Sequence, residues 1–309
     1  MKDLESIYRE HQLGKLEKHQ YISEMHKKHL VLFEYMDYLK KTDIESIYID
    51  ENDIHVVMRN SGIKLFLDRY DSRFIPIEIL NFHSFDPRER ELIFKLAGQS
   101  NTIFDIGGNI GWDTLNFSLL DGVDKVHTFE PIPRTFNYLK RHIDFNNIDN
   151  AIINNFALSN KQGSVNFFWS EKETGGSSMR NIQEREHVNN VECETRTLDQ
   201  YVEEHGCVVD MIKCDVEGSE LFVFEGGRKT IQRDKPFVFT EMLRKWSAKF
   251  DYHPNDIIYL FSELGYLCFA YVGTELKKFD QIEEDTIPTN YFFLHNDKHK
   301  EVINNLGLR

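Results

Sequence analysis

Three textures of apolar and polar positions succeed one another along the chain. Residues 1–41 contain no proline and a single glycine, and Ile22, Met25, Leu32, Met36 and Leu39 recur at three-four spacing. That is the stripe of an amphipathic helix, with His29 filling its one polar position. The stripe is expected to dock on its own domain. A helical dimer seam is the second reading, although the pattern is short for a coiled coil. After Asp43 the period falls to two: Ile47 and Ile49, then Ile54 and Val56, then Ile63, Leu65 and Leu67. Asp50-Glu51-Asn52-Asp53 and Asn60-Ser61-Gly62 punctuate these runs, which predicts a three-stranded meander. Residues 76–96 read as helix, with Asp86-Pro87 placing proline in a first helical turn.

From Asn101 short apolar runs alternate with helical stretches. Strands are expected at 102–105, 125–130, 151–157, 211–215 and 237–241, with helices at 134–143 and 255–264. Strand-helix alternation means an α/β fold with a mostly parallel, Rossmann-like sheet covered on both faces. Residues 266–271 and 291–295 lack a long helix between them and suit a C-terminal antiparallel hairpin. The division that follows is a helical and β-meander cap over 1–95 and a catalytic domain over 96–309, close to the two domains that length alone suggests.

Charge narrows the partners. Lys and Arg number 37 against 51 Asp and Glu, a net charge of −14. Such a surface repels phosphate backbones, so nucleic acid is excluded as a partner. Cys193, Cys207, Cys214 and Cys268 form no CxxC pair, and no histidine cluster has zinc-ligand spacing. The opening residues lack a signal-peptide core and no apolar run reaches membrane-spanning length. A cytoplasmic protein without membrane insertion is expected.

Chemistry concentrates at Thr102-Ile103-Phe104-Asp105-Ile106-Gly107-Gly108-Asn109-Ile110-Gly111. An apolar strand ends in a carboxylate, and a glycine-rich turn follows, leading into a helix near Asp113. Asn109 breaks the GxGxxG of a dinucleotide site, and Asp105 would repel a pyrophosphate. The same carboxylate suits a ligand that carries an ammonium group, such as the methionine end of S-adenosylmethionine. Gly107 and Gly111 allow a close backbone approach where a Cβ would clash. Glu130 ends the next strand 25 positions past Asp105 (130 − 105), the placement of an acid that binds ribose hydroxyls. Phe156 and Ala157 end the third strand, where an adenine ring would lie. Phe156 suits stacking on that ring, and core packing accounts for it equally well.

These segments, followed by Thr197-Leu198-Asp199, Lys213-Cys214-Asp215-Val216-Glu217-Gly218-Ser219-Glu220 and residues 236–241, resemble in order the FkbM-like methyltransferases. The resemblance runs from roughly residue 94 to 294. It implies a class I methyltransferase fold, S-adenosylmethionine as cofactor and mostly O-methylation, on sugars of surface polysaccharides, glycolipids and natural products. Gly108 stands where alanine is usual, and Cys214 where isoleucine or leucine is. Asp105, Gly107, Asn109, Gly111, Glu130, Phe156 and Ala157 are then the expected cofactor contacts.

Methyl transfer from a sulfonium is an in-line displacement, and a sugar hydroxyl also needs a base. Asp215, Glu217 and Glu241 stand at the C-terminal ends of strands, which face the ligand crevice, and are the expected catalytic acids. The bland alternative pairs Lys213 with Asp215 and has Glu217 merely start a helix. Clustered acids invite a divalent cation. With no third oxygen ligand evident, none is assigned. Residues 174–180 form a polar loop that suits either an acceptor cover or plain solvent. Arg244, Lys245, Trp246, Tyr252 and His253 suit either a nucleotide-sugar contact or a solvated helix start. The expected acceptor is a sugar or nucleotide sugar used in bacterial surface polysaccharide assembly. A small natural product or glycolipid is the alternative, and the N-terminal segment is a candidate homodimer contact. A non-catalytic binding module fits poorly, because every charged position of the cofactor motif is present.

Overall fold

The alternating period of residues 44–66 is realised as three antiparallel strands, β1 (Ile44–Ile49), β2 (Ile54–Met58) and β3 (Lys64–Phe66), in that order. The computed structural model describes residues 2–85, 87–182, 184 and 188–307. Ahead of the meander lie three short helices, α1 (Leu4–Gln12), α2 (Lys18–His29) and α3 (Val31–Tyr38). Gly14, in the left-handed region, follows the first. Neither α2 nor α3 buries a residue, and Ile22, Leu32 and Met36 are more than half exposed. Most of the apolar stripe is therefore not docked on its own domain, although its last member, Leu39, packs against the core of the meander. One tie to the remainder is the Tyr38 hydroxyl, which donates to the Leu80 carbonyl at 2.7 Å.

The helix expected at 76–96 is two, α4 (Ile75–Phe82) and α5 (Pro87–Ala97), because His83 between them is left-handed. Pro87 does open a helix, while Asp86 lies outside the described residues. The meander buries Ile44, Val56 and Leu65 with Ile79 of α4, and against them pack Trp112, Leu115, Leu139 and Ile143. Its core is thus shared with α6 (Trp112–Ser118) and α7 (Pro133–Phe145) of the following layer. A polar clamp reinforces this seam. Buried Asp68 accepts hydrogen bonds from Arg134 (2.6 Å), Tyr138 (2.7 Å) and the amides of Tyr70 and Asp71. Burial opposes its charge, but these partners outweigh it and hold the carboxyl below its ordinary range.

Strand-helix alternation continues through β4 (Thr102–Ile106), β5 (Lys125–Phe129) and β6 (Ala151–Asn154). Next come β7 (Ala157–Leu158), β8 (Gly163–Ser170), β9 (Glu173–Ser178) and β10 (Asn189–Arg196). After α8 (Leu198–His205) stand β11 (Met211–Cys214), α9 (Glu220–Gly226), α10 (Arg228–Asp234) and β12 (Phe237–Glu241). The chain ends with α11 (Arg244–Ser247), α12 (Pro254–Glu263), β13 (Tyr266–Val272), β14 (Glu275–Phe279), β15 (Asn290–His295) and α13 (Lys300–Asn305). The main sheet has the order β14-β13-β15-β12-β11-β4-β5-β6. Its strands from β12 to β6 are parallel, and β15 runs antiparallel between β12 and β13. Every residue of β11 is buried, as befits a strand covered on both faces. From β4 the order runs outward to β6, then restarts on the other side at β11, so the crevice opens at the carboxyl ends of β4 and β11.

Two expectations are corrected. The strand expected over 151–157 splits, and Ala157 belongs to a second sheet ordered β7-β10-β8-β9. The polar run 174–180, expected as a loop, is mostly strand β9, because β8 pairs with it antiparallel.

If the Asp68 clamp holds the meander to α7, Asp68→Ala should cost about 3 kcal/mol, the scale of a buried pair robbed of one partner. Urea unfolding measures this. An unchanged midpoint would mean that apolar contact alone holds the seam.

Candidate active site

The glycine-rich turn is built by close approach of the chain to itself. Gly107 and Gly111 have φ of 81° and 93°, and Asn109 is also left-handed at 48°. A Cβ on Gly107 would lie 1.8 Å from the Asp215 carbonyl oxygen, and one on Gly111 would lie 2.6 Å from Leu139 Cδ1. The Gly107 and Gly108 amides both donate to the Phe129 carbonyl at 3.0 Å. Glycine is therefore required by the wedge of this turn between β11, β5 and α7, whatever ligand lies beyond it.

Asp105 is fully buried and stands behind the crevice wall. Thr114 Oγ1 donates to its Oδ2 at 2.6 Å, and Lys213 Nζ lies 3.2 Å from its Oδ1. The direct ligand contact expected of Asp105 is thus replaced by a contact with Lys213, and the Lys213–Asp215 pair by Lys213–Asp105. Lys213 also donates to the Gly107 carbonyl at 2.9 Å and stands 3.9 Å from Asp113 Oδ2. Burial works against its charge, but Asp105, Asp215 and Asp113 outweigh it and raise its pKa.

Glu130 lines the crevice and staples its second corner. Its Oε2 accepts from the Asn109 amide (3.0 Å) and its Oε1 from the Ile132 amide (2.9 Å). Each oxygen keeps a second lone pair for a hydroxyl donor. Burial pushes its carboxyl up to about 7. Phe156, expected against an adenine ring, instead packs edge-on against Phe129 at 5.6 Å, with the Arg196 guanidinium over it at 4.5 Å. It does not line the crevice; Ile132, Ala157 and Leu158 do.

Beyond β11 and β12 the carboxylates of Asp215, Glu217 and Glu241 converge within 4.8 Å of one another. Glu217 is left-handed, at φ 55°. Glu220 holds the turn: its Oε1 accepts from the Val216 (3.1 Å) and Gly218 (3.0 Å) amides, and its Oε2 from the Tyr252 hydroxyl. Ser178 of β9 closes over it, donating to the Glu217 carbonyl at 2.7 Å. Burial and mutual repulsion raise the pKa of Glu217, and burial raises that of Asp215. Glu217, already among the expected acids, supplies the third oxygen ligand that the sequence did not place beside Asp215 and Glu241. Three hard carboxylate donors at this separation are able to hold a divalent cation, which the sequence left unassigned.

The crevice measures about 670 Å³, within the range of small-molecule sites. Arg73, Glu78, Phe82, Phe85, Arg90, Trp112, Asp113 and Trp246 are among the residues that line it. Of the expected cationic and aromatic group only Trp246 reaches it. Arg244 bonds the carbonyls of Glu283 and Thr286, Lys245 lies over the Trp246 ring, and His253 accepts from the Asn255 amide to cap α12. Trp112 and Arg90 were not singled out from the sequence. Trp112 directly follows the last glycine of the turn and was legible there; Arg90 carried no such signal.

Asn109 Oδ1 and Asp215 Oδ1 are buried without hydrogen-bond partners in residues that line the crevice. Such acceptors, with Glu130 at one end and Asp113 at the other, fit the hydroxyl and ammonium donors of S-adenosylmethionine. When bound, this cofactor supplies an electrophilic methyl group on a sulfonium. The fold and crevice define an S-adenosylmethionine-dependent methyltransferase. Residues 105–268 match the family described as the methyltransferase FkbM domain, and the chain belongs to that family. It is 28% identical over 169 residues to the 2-O-methyltransferase NoeI of Sinorhizobium fredii, covering 49% of this chain and 67% of that protein. Against the hexuronic acid methyltransferase AglP of Haloferax volcanii it is 27% identical over 197 residues, covering 63% and 73%. A crystal structure of methyltransferase FkbM from Methylobacillus flagellatus superposes with a TM-score of 0.41 at 17% identity, covering 63% of this chain and 43% of that one.

The buried acids make stability depend on pH. The folded carboxyls of Glu130 and Glu220 sit at about 7 against an ordinary 4.5. Between these values the folded state holds protons that the unfolded state has released, so stability falls as pH rises through that window. Glu130→Gln should remove about 3 kcal/mol of that fall and leave the share of Glu220. Chemical unfolding at pH 5 and pH 8 tests this, and an unaltered slope would place Glu130 outside the titration.

Proposed function

We propose that the chain transfers the methyl group of S-adenosylmethionine to a sugar hydroxyl. The observation that carries this reading is the convergence of Asp215, Glu217 and Glu241 within 4.8 Å, at the end of the crevice wall that also holds the glycine-rich turn. Polar hydroxyl-bearing ligands suit such a group, and Trp246, which lines the crevice, offers an aromatic ring for a sugar. The names of the two relatives, a 2-O-methyltransferase and a hexuronic acid methyltransferase, support oxygen and sugar. A glycolipid or small natural product is the second reading, which the polar, acidic end of the crevice disfavours. Bacterial surface polysaccharide assembly in the cytoplasm is the setting we infer. No helix among the described residues is long and apolar enough to cross a membrane.

Asp215 orients the acceptor hydroxyl and accepts its proton as the oxygen attacks the methyl carbon and the carbon–sulfur bond breaks. Glu217 and Glu241 hold neighbouring hydroxyls. Glu130 receives the ribose hydroxyls, Asn109 and the Gly107–Gly111 turn line the methionine half, and Ala157 flanks the adenine. Residues 1–95 act as a cap on the catalytic domain 96–309, and the exposed stripe of α2 and α3 forms the homodimer contact.

Incubation of the protein and S-adenosylmethionine with a panel of sugars and nucleotide sugars should yield an ether methyl by mass spectrometry. Methylation of nitrogen, protein or nucleic acid would sink the assignment. A positioned base contributes on the order of 10²–10⁴-fold. Asp215→Asn should therefore lower kcat by that factor with cofactor affinity little changed. Near wild-type turnover by both Asp215→Asn and Glu241→Gln would remove the acids from the chemistry.

A further inference from the structure

We propose that Arg90 binds the carboxylate of the cofactor's methionine half. That half carries an ammonium and a carboxylate, and the carboxylates that line the crevice serve only the first. Among the described residues that line the crevice the cations are Arg73, Arg90 and Lys213. Lys213 is committed to Asp105 and the Gly107 carbonyl. Arg73 pairs with Glu78 at 2.7 Å, and its side chain is 61% exposed. The Arg90 side chain is only 16% exposed. Its Nε donates to the Phe85 carbonyl at 3.3 Å, its Nη2 stands 3.6 Å from Asp113 Oδ1, and its Nη1 is buried without a hydrogen-bond partner.

The guanidinium is held by ring faces: Trp112 at 4.8 Å, Phe94 at 5.3 Å and Phe85 at 5.8 Å. Stacking fixes its plane while leaving N–H donors for a carboxylate. A buried donor left unmade is costly, and a carboxylate is the ligand that a guanidinium satisfies best. Asp113 locates the contact. One of its oxygens faces Arg90 and the other faces Lys213, so Arg90 stands beside the glycine-rich turn where the methionine half is expected. Arg90 precedes residue 105, so it lies outside the segment that matches the family. The inference does not depend on what the acceptor is. An acidic acceptor is the other source of a carboxylate.

Decarboxylated S-adenosylmethionine keeps the ammonium and lacks only the carboxylate, which makes it the probe. In calorimetry the wild type should bind S-adenosylmethionine about 10–100-fold more tightly than this analogue. Arg90→Met, which keeps an apolar stem on Trp112, should abolish that preference and leave affinity for the analogue unchanged. Arg90→Lys should restore part of it, which also covers the case in which the methionine variant does not fold. Equal wild-type affinities, a preference that survives in a folded variant, or equal losses for both ligands would each overturn the proposal. So would cofactor binding that is untouched while affinity for a uronate-bearing acceptor falls.

Discussion

The buried ammonium of Lys213 is the interaction on which the rest of the site depends. It lies between the ends of β4 and β11, where the order of the strands reverses, and touches three things at once: the Asp105 carboxylate, the Gly107 carbonyl and, more distantly, Asp113. An ammonium this deep is tolerable only when carboxylates surround it, and a carboxylate as buried as Asp105 only when a cation answers it. Each therefore fixes the other. Between them they fix the glycine-rich turn, because the carbonyl that Lys213 grips is the first glycine's own. Gly107 in turn presses against the Asp215 carbonyl, so the cofactor turn and the first of the three acids share one seam.

From Asp215 onward a second device takes over. The chain must turn sharply so that Asp215 and Glu217 face one point, and it does so through the left-handed Glu217 and Gly218. Glu220, one turn further, accepts the amides that this bend leaves bare. Asp215 and Glu241 remain close enough to add to the burial that raises the pKa of Glu217. Repulsion of this kind is sustained by rigid support rather than relieved by spreading apart, and that support comes from β9 through Ser178 and from Tyr252. A group of carboxylates held together is poised to take up a proton or a cation, which is what a base for a weakly acidic hydroxyl requires.

Where side-chain period reports burial, the sequence was legible. The meander, the parallel strands and the positions of Asp105, Glu130, Asp215 and Glu241 at strand ends all follow from it. Direction was not legible. Asp105 lies within β4 opposite Thr128 and turns inward to Lys213, whereas Glu130 lies just past the end of β5 and lines the crevice, a register that the sequence alone does not state. Phe156 similarly shows an aromatic whose partner, Arg196, arrives from a different strand. Strand β9 of the second sheet escaped notice because it is polar: Gly175, Gly176 and Ser177 read as loop until β8 supplies their partner. The stripe of α2 and α3 misled in the opposite sense, since a helical period states that a face is apolar and not that this chain covers it.

The segment that matches the family begins at Asp105, yet the crevice does not. Part of its lining comes from α4, α5 and the link between them, through Glu78, Phe82, Phe85 and Arg90. Of these helices, α4 packs with the meander onto α6 and α7, a seam reinforced by Asp68 on Arg134 and Tyr138, while α5 packs through Leu92, Ile93, Leu96 and Ala97 against the main sheet. The two halves thus divide the labour by physical kind. The sheet presents acids and acceptors, fixed by buried ion pairs at strand ends, while the N-terminal wall presents a cation and aromatic faces, fixed by apolar contact. A zwitterionic amino-acid head needs both signs of charge within one small volume. A single sheet edge crowded with carboxylates offers one of them, so the second must come from an element packed against it.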